Sequence, residues 1–290
     1  MKILNYGSLN LDYVYTVDHI VKPGETITSS GLEVYPGGKG LNQSVALARA
    51  GACVSHAGLV GEDGALLLKT CKDNNIDTSF IRTTDIRSGN AIIQIDADGE
   101  NCIVLFAGAN RQNCTRYVDD TLNCFGSGDL LILQNEVNLL DYMIDKASSK
   151  GIEIALNPSP FDDIVKGCDF SKVSYLFVNE IEGGQISGET VPDKILSSIG
   201  KLYPQLKVIL TLGRDGAYYK DANAVFYQPA LAVNAVDTTA AGDTFTGYFL
   251  AEITKGSSPK QALLKASSAA ALTVSRKGAV SSIPWKNEID

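Results

Sequence analysis

The chain has no uninterrupted apolar run of the about 18 residues that a membrane-spanning helix needs, which excludes a helical membrane protein. It holds only two histidines, His19 and His56, and neither lies near a cysteine cluster. Its six cysteines (Cys53, Cys71, Cys102, Cys114, Cys124 and Cys168) are scattered with no CxxC spacing. A disulfide framework and a zinc centre are therefore not expected. The histidines are too isolated for a catalytic triad, and ordinary structural or surface roles are expected of them. There is no long basic run, and the net charge is −8, which argues against nucleic acid or an anionic membrane as the main partner. The first apolar stretch, Ile3–Tyr6, is too short for a secretory signal, so a cytoplasmic location is expected. Linkers, internal repeats and low-complexity segments are also missing.

What is present is a globular composition, 44% hydrophobic and 20% charged, on 290 residues, enough to bury a substantial core. Short aliphatic runs alternate with helical patterns. The runs are Ile3–Tyr6, Val54–Leu59, Leu130–Gln134, Ile152–Asn157, Tyr175–Asn179 and Val208–Leu212, and the helical stretches include Leu41–Arg49, Leu66–Asn74 and Leu139–Ser149. Near-continuous apolar strands separated by helices predict a three-layer, doubly wound α/β domain with a mainly parallel sheet. The whole chain, 1–290, reads as one such domain. Two segments break the pattern. Tyr13–Val17, Thr26–Thr28 and Leu32–Tyr35 read as strands without a helix between them, and Asn90–Phe106 reads as a hairpin turning at Asp98-Gly99. Together these segments, about 12–36 and 89–107, predict a small antiparallel sheet projecting from the domain. Such a sheet serves as a lid, a dimer interface or both; a purely structural flap is the alternative.

The stretch with most chemistry in it is Asp237-Thr238-Thr239-Ala240-Ala241-Gly242-Asp243-Thr244-Phe245. It runs from an expected strand end, Leu231–Val236, through a turn of small residues into a helix whose apolar residues include Phe245, Phe249 and Ile253. Ala240, Ala241 and Gly242 let the backbone approach a ligand closely, and the free N–H groups of a first helical turn favour an anion. A carboxylate beside that anion gains nothing from it unless Asp243 handles a proton or a metal. An ordinary helix cap is the plainer reading of Asp243. Earlier in the chain, Pro36-Gly37-Gly38-Lys39-Gly40-Leu41-Asn42-Gln43 opens the first helix. It lacks the Ser or Thr that follows the lysine of a Walker A loop. Its glycines bring backbone amides toward a polar ligand, with Lys39 and Asn42 as further donors; alternatively it is only a turn.

The two stretches, Gly37–Gly64 and Asp237–Phe249, resemble the paired signatures of the ribokinase-type (PfkB) carbohydrate kinases. The likeness extends over essentially the whole chain, from Gly7–Asp12 to Ser281–Trp285. The Asp237–Phe245 stretch and the Arg276-Lys277-Gly278-Ala279…Pro284-Trp285 ending lie nearest the ribokinase branch of that family. The resemblance implies that Asp243 takes the proton of a sugar hydroxyl while Ala240, Ala241 and Gly242 form an anion hole for the transferring phosphoryl group. It implies sugar contacts at Asn10, Asp12, Gly38, Lys39, Asn42 and Glu136. For the nucleotide it points to Asn179 and Glu182, in an Asn-x-x-Glu motif that organises Mg²⁺, and to Thr211, Gly213, Gly216 and Ser267. It also implies a monovalent cation site, for K⁺, made by Asp237, Thr239, Thr273, Arg276, Gly278 and Ser282. Most of these have plainer local readings: a helix cap for Asn179, strand-end turns for Asp12 and Thr211, a helix C-cap for Gly278.

The implied activity is transfer of the γ-phosphate of ATP to the 5-hydroxyl of D-ribose. The alternatives are the same chemistry on another small polyol (deoxyribose, fructose or a nucleoside such as pseudouridine) and, in a different class, a non-catalytic sugar or nucleotide sensor. The expected partners are ATP, the sugar and a second copy of the chain through the lid.

Overall fold

In the computed structural model, which describes residues 1–289, the chain opens with β1 (Ile3–Tyr6), β2 (Asn10–Thr16), β3 (Gly31–Gly37) and α1 (Lys39–Arg49). It continues through β4 (Val54–Val60), α2 (Ala65–Asp73), β5 (Asp77–Thr83), β6 (Gly89–Ile95) and β7 (Asn101–Phe106). Next come α3 (Thr115–Leu122), β8 (Leu130–Gln134), α4 (Leu140–Ser149), β9 (Glu153–Asn157), α5 (Asp163–Lys166) and β10 (Tyr175–Asn179). Helices α6 (Glu180–Ser187) and α7 (Pro192–Leu202) lead to β11 (Lys207–Thr211), β12 (Ala217–Lys220) and β13 (Val225–Gln228). The chain closes on two long helices, α8 (Ala241–Thr254) and α9 (Pro259–Val274).

Nine strands form one sheet in the order β13-β12-β11-β10-β9-β8-β1-β4-β5. Every pairing from β5 to β11 is parallel, and β12 and β13 add an antiparallel edge. The near-continuous apolar strands are explained by two cores, one on each face. Along β8, Leu130 and Ile132 pack with Leu41, Val45, Phe249 and Leu263, while Leu131 and Leu133 pack with Val118, Met143 and Ile195 on the other side. Alternate side chains point to opposite faces, so a strand covered on both needs an apolar residue at every position. Full burial of each such leucine contributes about 1.5–3 kcal/mol before its entropy cost.

Apart from two stretches corrected below, the expected strands and helices are present, most ends shifted by a residue or two, as at Lys39 rather than Leu41 for α1, while the strand expected at Tyr13–Val17 already begins at Asn10. Three local expectations are corrected. Thr26–Thr28 is not a strand; it lies in the connection between β2 and β3, which pair directly with each other from Asn10↔Gly37 to Thr16↔Gly31. Leu231–Val236 is not a strand either. Its residues are exposed, and the stretch is tied instead to the end of α9, where the Val236 N–H donates to the Val274 carbonyl at 2.7 Å. Gly278 does not cap α9, which ends at Val274; its N–H goes to Asp237.

The projecting sheet has the order β3-β2-β6-β7. Its two hairpins are antiparallel, as expected, but they join through a parallel pairing of β2 with β6. The turn at Asp98-Gly99 is held by Asp96, whose carboxylate accepts from the Asp98 and Glu100 N–H groups. Among the described residues, no helix is long and apolar enough to cross a membrane.

Candidate active site

Strands β8, β9, β10 and β11 end at Gln134, Asn157, Asn179 and Thr211, and the start of α8 lies across the same edge. This is where parallel α/β sheets bind ligands, because the strand ends and the helix N-termini converge there. A cavity of about 240 Å³ opens at this point, its wall including Lys39, Asn179, Glu182, Thr211, Ala240, Ala241, Gly242 and Asp243. Residues far apart in the chain are thus gathered at one cavity, whose wall does not include Gly213, Gly216 or Ser267.

Asp243 sits in the first turn of α8 and is buried. Its Oδ2 accepts from Asn42 Nδ2 at 3.0 Å and its Oδ1 from Gln43 Nε2 at 2.9 Å, so both oxygens are oriented from α1. Ala240, just before the helix, adopts the left-handed conformation (φ 59°) that turns the chain into α8. That conformation is strained for a residue with a Cβ, so its presence beside the cavity marks a turn held by its surroundings. A Cβ added at Gly242 would meet nothing within 4 Å beyond its chain neighbours and its own helix backbone. Packing does not demand glycine there; the space left open belongs to the cavity.

On the other side of Lys39 lie the expected sugar residues. The Glu136 carboxylate accepts from the Lys39 N–H at 3.0 Å and from the Ser8 hydroxyl, and its second oxygen is 3.9 Å from Lys39 Nζ. Burial works against the Lys39 ammonium, but the carboxylates of Asp243, Glu136 and Glu182 more than offset it, and its pKa is raised. Asn42 is buried, with its Nδ2 on Asp243 and its Oδ1 without a partner. Asn10 accepts from Asn110 Nδ2 at 2.7 Å, which fixes its amide at the root of the lid. Asp12, on the lid strand β2, has its carboxylate against Gly37, where a Cβ would sit 2.0 Å from Oδ2. Burial, then the negative charge of Glu136, pushes the Asp12 carboxyl up to about 7. Gly38 precedes α1 at the same corner.

The nucleotide-side residues are arranged along β10 and β11. Asn179 caps α6: its side chain accepts from the Glu182 N–H at 2.9 Å and Glu182 answers by accepting from the Asn179 N–H at 3.2 Å. The other Glu182 oxygen accepts from the Ser159 hydroxyl. The plain capping reading of this pair is therefore realised, and it holds the Glu182 carboxylate at the cavity wall. Thr211 ends β11 in that wall. Gly213 is exposed just beyond it, and Gly216 is pressed against the Gln228 carbonyl. Ser267 is buried on α9, away from the cavity wall.

Asp237 connects the turn before α8 to the segment after α9. Its Oδ1 accepts from the Thr239 N–H and hydroxyl, at 2.9 and 2.6 Å, and its Oδ2 from the Gly278 N–H at 2.9 Å. Burial alone would raise its pKa, but these bonds prevail and lower it. Thr273 and Ser282 are buried nearby in the chain, and Thr273 Oγ1 donates to Ala269 O. The Arg276 guanidinium points away, to Glu288 at 2.7 Å.

Four contributors were not assigned from sequence: Ser8, Gln43, Asn110 and Ser159. Gln43 sits beside Asn42 in the glycine-rich segment and carried a local signal. Ser8, Asn110 and Ser159 acquire their roles only from the fold.

Residues 1–286 match the model of the pfkB family carbohydrate kinases. The chain belongs to this family. It is a phosphotransferase with an alcohol group as acceptor. The kinase is 35% identical over 289 residues to the ribokinase of Bacillus subtilis (strain 168), covering 98% of this chain and 96% of that one. It is 31% identical to a deoxyribokinase of Salmonella typhi, over 98% and 96% of the two chains. Among solved structures, it resembles the ribokinase of Cryptococcus neoformans var. grubii serotype A in complex with ADP (TM-score 0.88, 34% identity, 99% and 98% covered). It also resembles the ribokinase of Arabidopsis thaliana complexed with ribose and ATP (TM-score 0.87, 25% identity, 99% and 97% covered).

Proposed function

We propose that this kinase transfers the γ-phosphoryl group of Mg-ATP to the 5-hydroxyl of D-ribose. The observation that carries the reading is the pairing of Asp243, oriented by two amide donors, with the open space over Gly242 beside it. The 5-oxygen attacks the γ-phosphorus, the bond to the β-phosphate oxygen breaks, ADP departs, and the hydroxyl proton passes to Asp243. In a loose transition state the nucleophile loses its proton late, so a weak but well-placed base suffices. The N–H groups of Ala240, Ala241 and Gly242 stabilise the charge on the transferring group, helped by the positive end of α8.

Ribose hydroxyls are held by Asn10, Asp12, Lys39, Asn42 and Glu136 and by the backbone at Gly38; Asn42 Oδ1, buried and unpaired in the structure, is free to accept one. ATP lies along Thr211, Gly213 and Gly216 toward Ser267. The Glu182 carboxylate and the Asn179 amide oxygen are hard oxygen groups that would suit Mg²⁺ held through water, and the ion would neutralise phosphate charge. Asp237, the carbonyls of Thr239, Thr273, Arg276 and Gly278, and Ser282 suit a large monovalent ion, K⁺, that orders the anion-hole turn. ATP as co-substrate puts the reaction in the cytoplasm.

The lid carries a further proposal. Ile103, Val104, Leu105 and Phe106 on β7 are 52–66% exposed, and Leu32 and Ile92 on neighbouring strands are 50% and 45% exposed. So many apolar residues on one small sheet fit a homodimer made through the lid.

A coupled ADP-release assay over pentoses, hexoses and nucleosides, in K⁺ and in Na⁺, tests the reading. The expected result is highest kcat/KM on ribose and faster turnover in K⁺. A preference for deoxyribose, the acceptor named for the Salmonella relative, or for fructose or a nucleoside, keeps the kinase and replaces its substrate. Asp243→Asn is expected to lower kcat by about 10²–10⁴-fold, the usual worth of a general base, with sugar and ATP binding retained. Turnover that survives this change removes Asp243 from the mechanism.

A further inference from the structure

Behind Asp243 runs a buried chain of side-chain amides. Gln43 Oε1 accepts from Gln134 Nε2 at 2.7 Å, and the same Nε2 donates to Asn5 Oδ1 at 2.9 Å. Asn5 Nδ2 in turn donates to the Gly40 carbonyl at 2.7 Å and to Ser44 Oγ at 2.9 Å. Ser44 Oγ lies 2.7 Å from His56 Nδ1. Asn5, Gln43, Ser44, His56 and Gln134 are each fully buried. The chain therefore crosses from β1 and β8 through α1 to α8 with no access to water.

Its polarity has one consistent assignment. A backbone carbonyl can only accept, so Gly40 requires the nitrogen of Asn5, which leaves the Asn5 oxygen facing Gln134. Gln134 must answer with its nitrogen, and both hydrogens of that nitrogen are used, one on Asn5 and one on Gln43. Gln43 then has its oxygen engaged and its nitrogen directed at Asp243. Gln134 Oε1 has no partner, and it is lodged where a Cβ at Gly7 would come within 2.2 Å. An unpaired buried acceptor is costly, and flipping the amide would not relieve it without setting oxygen against oxygen at two contacts.

We infer that Gln134 and Gln43 are positioning residues for phosphoryl transfer: the amide chain, its direction set by the Gly40 carbonyl, compels Gln43 to donate to Asp243 and so holds the carboxylate in its working orientation. This deepens the assignment of Asp243 as base and rests on it. Gln134 touches no substrate; it acts only through Gln43. The far end of the chain stays constant near neutral pH, because burial lowers the His56 pKa to about 4 and the ring remains neutral. The other titratable groups around the site are Lys39, Glu136, Glu182 and Asp12, whose carboxyl is pushed up to about 7; dividing variant by wild type at each pH cancels their titration.

The decisive variant is Gln134→Glu, which keeps size and shape. While the introduced carboxyl is protonated, it still has one hydrogen to give Gln43. Once ionised, it can only accept, so the Gln43 amide must turn and present oxygen to Asp243. The ratio of variant to wild-type kcat, measured with ATP and ribose from pH 6 to 9, is expected to fall at least tenfold as pH rises. At each pH, KM for both substrates should stay within threefold of the wild-type value at that pH. Gln134→Met, which lacks any donor, is expected to lower kcat by a similar factor at every pH. A flat ratio for Gln134→Glu overturns the inference, as does a loss that appears mainly in KM. Should Gln134→Glu fail to fold, Gln43→Met decides: reduced kcat at unchanged KM supports the relay, and unchanged kcat removes it. Asp243→Asn run alongside separates the two failures. If it is inactive while the glutamine variants match wild type, the base stands and the relay falls; if it remains active, the base assignment itself is wrong.

Discussion

Asp243 and Asp12 come from the two regions of the molecule, the central domain and the lid, and they are housed in opposite ways. Asp243 rests on a helix packed into the core on one face of the sheet and receives a hydrogen bond on each oxygen. Asp12 stands on a lid strand; among the described residues no side-chain or backbone donor reaches its carboxylate, and Glu136 adds a like charge. The same contrast holds for whole elements. Each residue of β8 is buried, while each residue of β7 is exposed. In the central domain the carboxylate beside the cavity has a donor on each of its oxygens. The lid instead carries a carboxylate without a donor and an exposed, apolar edge strand.

The contrast is sharpened most strongly by stability. Leu133→Ala, in the core beneath the site, is expected to cost about 2–5 kcal/mol in urea unfolding. Leu105→Ser on the lid should change monomer stability by no more than about 0.5 kcal/mol. Equal losses would mean the lid is as much a part of the core as the sheet.

Asp12→Asn comes next. On the proposed reading it removes a hydroxyl acceptor and lowers kcat/KM for ribose by on the order of 10²-fold. It should also raise Tm at pH 8 by about 2 °C. The sign follows from proton linkage. The Asp12 pKa is about 7 in the folded chain and near 4 when exposed, so between these values the folded state holds a proton that the unfolded state has released. Stability from this group is complete below about pH 4 and lost as pH rises through 7. A Tm that falls on substitution would show that Asp12 is satisfied after all.

In the wild-type enzyme the same group should govern ribose binding. KM for ribose is expected to rise as pH drops below 7, approaching tenfold per unit, while kcat changes less. A KM that is level from pH 8 to 6 takes Asp12 out of the sugar site.

The smallest effect on catalysis is expected from Phe106→Glu, which places charge on the exposed lid face. Light scattering should show the dimer giving way to monomer, with kcat changed by less than about threefold. A wild type that is already monomeric removes the lid interface.

The parallel sheet was legible because strands covered on both faces must be apolar at each position, and six such runs were plain. The residues gathered at the cavity were legible because close backbone approach and a helix start both leave marks in local sequence. The amide relay was not. Asn5, Gln43 and Gln134 are polar residues inside otherwise apolar elements, and only the crossing of β1, β8 and α1 gives each a partner. The same limit applies to Asn110, which meets Asn10 across 100 residues of chain, and to the parallel pairing of β2 with β6, which no local pattern encodes. Leu231–Val236 misled for the opposite reason: its composition suits a strand, but the fold offers no neighbour for it to pair with.

The lid also has a geometry that bears on how such a protein can vary over time. All four of its strands meet the main body at one end, at the registers Asn10↔Gly37, Asn10↔Gly89 and Asn90↔Phe106, whereas the two hairpin turns lie at the other. Adding two residues to each arm of a hairpin keeps the alternation of faces intact and leaves every residue near the cavity in place. Lineages are thus at liberty to lengthen, shorten or resurface the lid, and with it the choice of partner, while the machinery at its root is inherited unchanged.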